Sequence, residues 1–158
     1  MKKQQPTGST SGRHEAPNLP RRLVLYIEDD EGNRQVAAVR LEKKYDLLCA
    51  SNDREACQLL EEHGMRLELI LMDIELQGSA MNGIDLTQLV RGKLNVPNLP
   101  DYAAKVPQLQ TPILFVTAYD ERYRKPELLA VGADEVIPKP IDFVALHTAM
   151  ARVYVRRI

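Results

Sequence analysis

The sequence predicts an α/β protein in which five parallel strands form one sheet with helices on both faces. Short apolar runs typical of buried strands recur five times, and a segment with helical spacing or a helix cap follows each of them. Such alternation of strands and helices is the pattern of a parallel sheet covered on both sides. The length of 158 residues allows one domain of this kind.

The first part of the sequence contains two strand–helix units. Residues 23–27 are apolar and β-prone and form the first predicted strand, and a helix follows over about 32–44. Residues 46–50 form a short second strand. One residue of the pair Asn52-Asp53 caps the second helix, which ends at Gly64 because glycine is the usual helix stop.

The middle of the sequence is organised around the third strand, residues 67–72, which runs directly into the carboxylate of Asp73. Its continuous apolar run is typical of a strand that is buried on both faces. A helix over 83–91 follows after a loop. Residues 92–111 contain three prolines, which exclude one continuous helix, and we expect a long surface excursion with a short helical turn near Tyr102.

The last part of the sequence contains two further units. Residues 113–116 form the fourth strand, with Thr117 at its end, and a helix follows over about 121–131. Residues 135–137 form the fifth strand, and Asp142 caps the last helix. Right-handed crossovers and five strands favour the flavodoxin-like strand order 2-1-3-4-5.

The composition excludes several classes of protein. A net charge of −1, from 21 basic and 22 acidic residues, gives no global attraction to nucleic acid or to an anionic membrane. No apolar run approaches the roughly 18 residues of a membrane helix, and no apolar segment that would indicate a secretory signal follows the first residues. Cys49 and Cys57 are expected to be reduced core thiols of a cytoplasmic protein. Residues 1–20 are expected to be a flexible tail before one folded domain over 21–158.

Chemically active side chains follow four of the five predicted strands. In the predicted order, the first and third strands are neighbours whose carboxyl ends lie about 5 Å apart, and ligands gather at the carboxyl ends of such strands. Glu28 and Asp29 therefore share a cleft with Asp73. Thr117 ends the fourth strand and Lys139 ends the fifth, so both project to the same edge.

This combination predicts that Asp73 accepts a phosphoryl group. Clustered carboxylates repel one another and need a cation, and oxygen ligands suit Mg2+ rather than zinc. A carboxylate beside Mg2+ can attack phosphorus and form an aspartyl phosphate. The phosphoryl oxygens then require a cation, a fixed positive side chain and a hydroxyl. Asp29 with the metal, Lys139 and Thr117 supply these groups.

At this point the chain resembles the receiver domain of two-component response regulators. The resemblance is carried by four stretches in the same order, residues 23–30, 69–74, 111–118 and 131–140, and it extends over about residues 22–156. Each motif is weak alone, whereas the ordered set is highly specific. The resemblance implies a signalling domain rather than an enzyme, one that at most catalyses its own phosphorylation and dephosphorylation.

The resemblance also implies roles for the residues of the phosphoryl site. Asp73 matches the phosphoacceptor, Thr117 the switch hydroxyl, and Lys139 the lysine whose bond to Pro140 is cis. The phosphoryl donor would be a phosphohistidine on a sensor histidine kinase or a histidine phosphotransfer protein. Output would pass to a downstream protein target, through the face of the fourth helix, fifth strand and fifth helix.

The implied Mg2+ site uses acids on two strands. Asp29 matches the direct ligand, and Glu28 matches an acid that acts through water. Asp73 contributes its own carboxylate. Glu75, two residues after the acceptor, matches the position whose backbone carbonyl binds the metal.

The sequence departs from the family pattern at three places. Val136, three residues before the lysine, occupies a position that is often aromatic, so any switch is expected to be read out differently. The loop of residues 73–83 is about two residues longer than the common form, and the segment 92–111 is longer by several. We expect both insertions to shape partner choice. Glu75 and Tyr119 are expected to flank the path of a hydrolytic water, and Tyr119 to shield the phosphorus.

Two other classes of function remain open from the residues alone. A haloacid-dehalogenase-like phosphatase also uses an aspartate nucleophile with Mg2+, but it needs a second aspartate where this chain has Glu75. A receiver-like interaction module that is never phosphorylated is permitted by Val136. No segment follows the last predicted helix, so we expect either a single-domain regulator that acts through protein contacts or a fragment of a longer protein.

Overall fold

A computed structural model describes residues 20–118 and 122–156. Five strands and five α-helices alternate along these residues. The strands are β1 (Arg22–Ile27), β2 (Tyr45–Ala50), β3 (Leu69–Asp73), β4 (Ile113–Thr117) and β5 (Glu135–Pro138). The helices are α1 (Glu31–Leu41), α2 (Asp53–His63), α3 (Gly83–Val90), α4 (Lys125–Ala130) and α5 (Phe143–Arg156). Apart from Pro20, the expected tail of residues 1–20 lies outside the described residues and stays a prediction.

The strands form one parallel sheet in the order β2-β1-β3-β4-β5, which confirms the predicted flavodoxin-like fold. Because side chains alternate along a strand, the sheet has two cores. One core lies under α1 and α5, and the other lies under α2, α3 and α4. Strand β3 is buried along its whole length, as its apolar run predicted. This placement brings Asp73, at its end, to the middle of one sheet edge.

Side-chain caps start four of the helices. Asp30 caps α1 by accepting from the amide of Asn33 at 2.7 Å. Asn52 rather than Asp53 caps α2, and its Oδ1 lies 2.9 Å from the amide nitrogen of Glu55. Asn82 begins α3 with a reciprocal capping box. These three caps end the loops that follow β1, β2 and β3 at the carboxyl edge of the sheet. Asp142 caps α5, as predicted, and its Oδ1 accepts from the amides of Val144 and Ala145 at 2.9 and 3.2 Å.

Three predicted boundaries were wrong. Helix α1 ends at Leu41 and not near residue 44, and in the turn that follows the amide of Lys44 donates to the carbonyl of Leu41 at 3.0 Å. Helix α4 begins at Lys125 and not near residue 121, because Pro126 has no amide hydrogen and is tolerated only in a first helical turn. Strand β3 begins two residues later than predicted. A turn of 3-10 helix covers Gly64–Arg66, and the amide of Leu67 still bonds back to the carbonyl of Gly64 at 3.2 Å.

The excursion of residues 92–111 is irregular, as predicted, with one turn of 3-10 helix at Asp101–Ala103. Its C-terminal end is held by the largely buried Arg91, which donates to the carbonyl of Leu109 at 2.8 Å and lies 3.2 Å from Asp134 Oδ2. Cys57 is buried and Cys49 is half-buried, and both are free thiols. Among the helices described, none has the length and apolarity of a membrane span.

Candidate functional site

Three carboxylates meet at the carboxyl edge of the sheet. Ile27 pairs with Met72 across β1 and β3, so the residues that follow them come side by side. One oxygen each of Glu28, Asp29 and Asp73 lies within 4.8 Å of the other two. These residues, called the three-acid cluster below, are the acids that the sequence predicted for this cleft.

Lys139 joins the cluster from the far strand. Its Nζ lies 2.8 Å from Oε2 of Glu28 and 3.0 Å from Oδ2 of Asp73. The Lys139 amide donates to the carbonyl of Thr117 at 2.8 Å, and the bond to Pro140 is cis, as the resemblance implied. The lysine therefore contacts residues at the ends of the first and third strands, although it follows the fifth strand in the chain.

The site is largely removed from water, which shifts the pKa of its groups. Burial, followed by the negative charge of Glu28, raises the pKa of Asp73 to about 7, while Lys139 opposes this rise. Burial alone would lower the pKa of Lys139, but hydrogen bonds to Glu28 and Asp73 raise it. The lysine consequently stays charged at neutral pH, whereas the pKa of the metal-free acceptor carboxyl lies well above its usual range.

Glu28 and Asp29 have different surroundings. Glu28 is fully buried, and it accepts from the hydroxyl of Tyr26 at 3.1 Å and from the amide of Asp30 at 3.2 Å, besides its contact with Lys139. Asp29 is only half-buried, and its Oδ2 accepts from the amide of Gln77 at 3.1 Å. Asp29 is thus the more accessible of the two acids.

Thr117 and Glu75 complete the list of predicted site residues. Thr117 is buried at the end of β4, lines the same cavity of about 380 Å³ as Asp73, and donates to the carbonyl of Ala118 at 3.2 Å. The carboxylate of Glu75 does not join the three-acid cluster, because its Oε1 accepts from Tyr123 at 3.0 Å and lies 3.6 Å from Arg122. The proposed role of the Glu75 backbone carbonyl stays a prediction.

Of Val136 and Tyr119, the two residues with expected special roles beside the site, the structure describes only Val136. Val136 pairs with Phe115 across β4 and β5 and packs, partly buried, against the core under α2, α3 and α4. It therefore occupies ordinary core space beside the site. Tyr119, expected to shield the phosphorus, lies outside the described residues.

Sequence reasoning missed two residues that support the site. Tyr26 looked like an ordinary apolar strand residue, yet it lies two positions before Glu28 and so shares its face of the strand. That spacing was the signal that could have found it. Asp53 was considered only as a helix cap. It is in fact buried and accepts from the hydroxyl of Tyr102 at 2.5 Å, a contact between distant residues that local sequence patterns do not reveal.

The sequence model of the response regulator receiver domain matches residues 24–151. Among curated proteins, an uncharacterized transcriptional regulatory protein, YrkP of Bacillus subtilis, is 30% identical over 125 residues, which are 78% of this chain and 46% of that protein. The chain thus spans less than half the length of this relative.

Solved structures of receiver domains have the same fold. The Francisella response regulator 1452 receiver domain has a TM-score of 0.69 at 22% identity, over 87% of this chain and 99% of that one. The receiver domain of Ssk1 from Saccharomyces cerevisiae, solved with the histidine phosphotransfer signaling protein Ypd1, has a TM-score of 0.63 at 25% identity. That match covers 83% of this chain and 87% of the other.

Proposed function

The chain belongs to the response regulator receiver domain family, and on that premise we propose that it takes a phosphoryl group from a phosphohistidine onto Asp73. Domains of this family are signalling domains of two-component systems rather than conventional enzymes. The observation that carries the proposal is the contact of Lys139 with Asp73, 3.0 Å long, inside the three-acid cluster.

The donor set of the cluster fits Mg2+. It consists of carboxylate oxygens, which a hard cation prefers, and its three acids face the single charge of Lys139. Asp29 and Asp73 would hold the ion directly, and Glu28 would act through water because its carboxylate is buried and already bonded. The backbone carbonyl of Glu75 is the proposed fourth contact. When bound, Mg2+ would neutralise charge on the phosphoryl oxygens.

Three side chains of this protein would each have a role in the phosphoryl transfer. An ionised Oδ of Asp73 attacks the phosphorus, a P–O bond forms, and the P–N bond of the phosphohistidine breaks with its electron pair passing to the imidazole. Lys139 stabilises the negative phosphoryl oxygens as a fixed cation. Thr117, which lines the same cavity, would donate its hydroxyl to a third oxygen after rotating away from Ala118.

The donor is proposed to be a sensor histidine kinase or a histidine phosphotransfer protein. The related Ssk1 receiver domain was solved with the phosphotransfer protein Ypd1. On this chain, Val36 and Val39 of α1 are 55% and 67% exposed on one helix face, and Val36 lines a cavity of about 480 Å³ that also includes Lys139. A protein that brings a phosphohistidine to Asp73 would cover this apolar surface. A downstream protein target, the absence of direct nucleic acid binding and a cytoplasmic location stay predictions.

Labelling by a small phosphodonor tests the proposal. Acetyl phosphate with Mg2+ should label the unaltered chain and leave Asp73→Asn unlabelled, while the control Asp46→Asn should be labelled normally. Asp46 lies on β2 and pairs with Arg21 at 3.3 Å, away from the cluster. Lack of label on the unaltered chain would favour the unphosphorylated interaction module. Turnover of a generic phosphomonoester would favour the phosphatase.

A further inference from the structure

The loop between β3 and α3, residues 74–82, is bonded to a carboxylate near each of its ends. The amide of Gln77 donates to Oδ2 of Asp29 at 3.1 Å. The amides of Ala80 and Met81 both donate to Oδ2 of Asp53, each at 3.1 Å. One loop therefore connects an acid of the proposed cation site to a buried acid on α2.

Asp53 fixes its end of the loop tightly. The residue is only 3% exposed, and a buried carboxylate is stable only when hydrogen bonds replace its lost water. Its backbone amide also donates to Oγ of Ser79 at 3.0 Å. Residues 79–81 are thus held against the first turn of α2 by both the backbone and the side chain of Asp53.

Tyr102 brings the segment of residues 92–111 into the same network. Its hydroxyl donates to Oδ2 of Asp53 over 2.5 Å, a short bond to a charged acceptor. Burial, and then the neighbouring Asp53 carboxylate, raise the pKa of Tyr102 to about 12, so the hydroxyl stays protonated at neutral pH. The guanidinium of Arg54 lies over the Tyr102 ring, 4.6 Å from its centroid, and makes a cation–π contact with it.

We propose that Tyr102 and Asp53 are positioning residues that set the affinity of the three-acid cluster for a divalent cation. They hold the loop in the position from which the Gln77 amide bonds one oxygen of Asp29. A loosened loop would free the Asp29 side chain, and a cation would then have to order it on binding. The proposal rests on the proposed function, because it assumes that Asp29 is a cation ligand.

The network also gives the longer segment of residues 92–111 a defined role. Through Tyr102 it reaches Asp53, the loop and finally Asp29, without itself touching the three-acid cluster. The segment would therefore tune the phosphorylation site and not only the choice of partner.

The test compares Tyr102→Phe with the unaltered chain. Calorimetric titration with Mg2+ alone should give a Kd raised by at least about threefold, since a hydrogen bond of ordinary net strength corresponds to about two- to tenfold in an equilibrium. In the metal-free protein, hydrogen exchange at the amides of Gln77, Ala80 and Met81 should become faster. Labelling by acetyl phosphate at saturating Mg2+ should return to the rate of the unaltered chain, which a general structural defect would not allow.

Tyr45→Phe is the matched control, because Tyr45 lies on β2 and stacks on His147 instead of contacting the loop. Asp53→Asn, which keeps the shape of the side chain, should raise the Kd further. The proposal is overturned if Tyr102→Phe changes the Kd by less than threefold, or if Tyr45→Phe changes it equally. Failure of the unaltered chain to bind Mg2+ would instead overturn the proposed function, and this inference with it.

Discussion

The ammonium group of Lys139 lies 3.0 Å from Oδ2 of Asp73, although Asp73 ends β3, Lys139 follows β5, and β4 lies between these two strands. The same nitrogen lies 2.8 Å from Oε2 of Glu28. One cation therefore balances two buried carboxylates, and the third acid, Asp29, remains the more exposed one. This arrangement leaves excess negative charge in the cluster, and it leads to the first two predictions.

Replacing Lys139 by methionine should slow labelling by acetyl phosphate at saturating Mg2+ by about a hundredfold or more, the usual cost of losing one fixed group that stabilises transition-state charge. Methionine has a similar length but no charge, so Asp73 and Glu28 lose their cation. The control is Lys125→Met, since Lys125 is 60% exposed and pairs with Glu135 at 3.8 Å. Labelling of Lys139→Met at the rate of this control would contradict the assignment of Lys139.

The stability of the metal-free protein should fall as the pH rises from about 4 to about 7. The pKa of Asp73 is about 7 in the folded protein and 3.8 without its surroundings, so the folded state binds the proton more tightly. Between these two pKa values unfolding releases the proton, so the free energy of unfolding falls as the pH rises, by about 2–4 kcal/mol over the interval. Above pH 7 the folded protein has also lost the proton, and the effect levels off.

Urea unfolding in a series of pH values checks this prediction, with Asp73→Asn as the reference. The variant lacks the titrating carboxyl but keeps Glu28, Asp29 and Lys139, which face it from the neighbouring strand ends. The free energy of unfolding of the unaltered protein, minus that of the variant, should fall as the pH rises from about 4 to about 7. Equal pH dependence in both would show that Asp73 does not titrate with a raised pKa.

A charge on the exposed face of α1 should disturb the phosphohistidine donor but not the chemistry at Asp73. Val39→Asp places a carboxylate on the apolar surface next to Val36, and buried unpaired charge at an interface is costly. Transfer from a histidine phosphotransfer protein that labels the unaltered chain should therefore slow by about tenfold or more.

Two comparisons separate docking from chemistry in this experiment. Labelling of Val39→Asp by acetyl phosphate should be unchanged, because the small donor needs no protein surface. Val155→Asp is the matched control, since Val155 is 69% exposed near the C-terminal end of α5. Equal slowing in both variants would argue against α1 as the donor surface.

Much of the fold followed from local patterns because those patterns report burial directly. The apolar run that ends at Asp73 is a strand buried along its length, and helices α2 and α3 begin and end within one residue of the predicted positions. The start of α4 was misplaced because Pro126 fits only the first turn of a helix, and so the helix starts at Lys125. The start of β3 was misplaced because Leu67 is apolar but still belongs to a turn.

The sequence by itself determined the strand order and the edge at which Glu28, Asp29, Asp73, Thr117 and Lys139 meet, because strand periodicity and crossover handedness are local or general rules. Only the tertiary structure decided which side chains contact which. The pairing of Lys139 with both Glu28 and Asp73, and the bond from Tyr102 to Asp53, join residues far apart in the chain. Buried charged and polar groups must be paired or hydrogen-bonded, and their partners lie on elements that are packed together but distant in sequence. Local sequence patterns therefore do not predict these contacts.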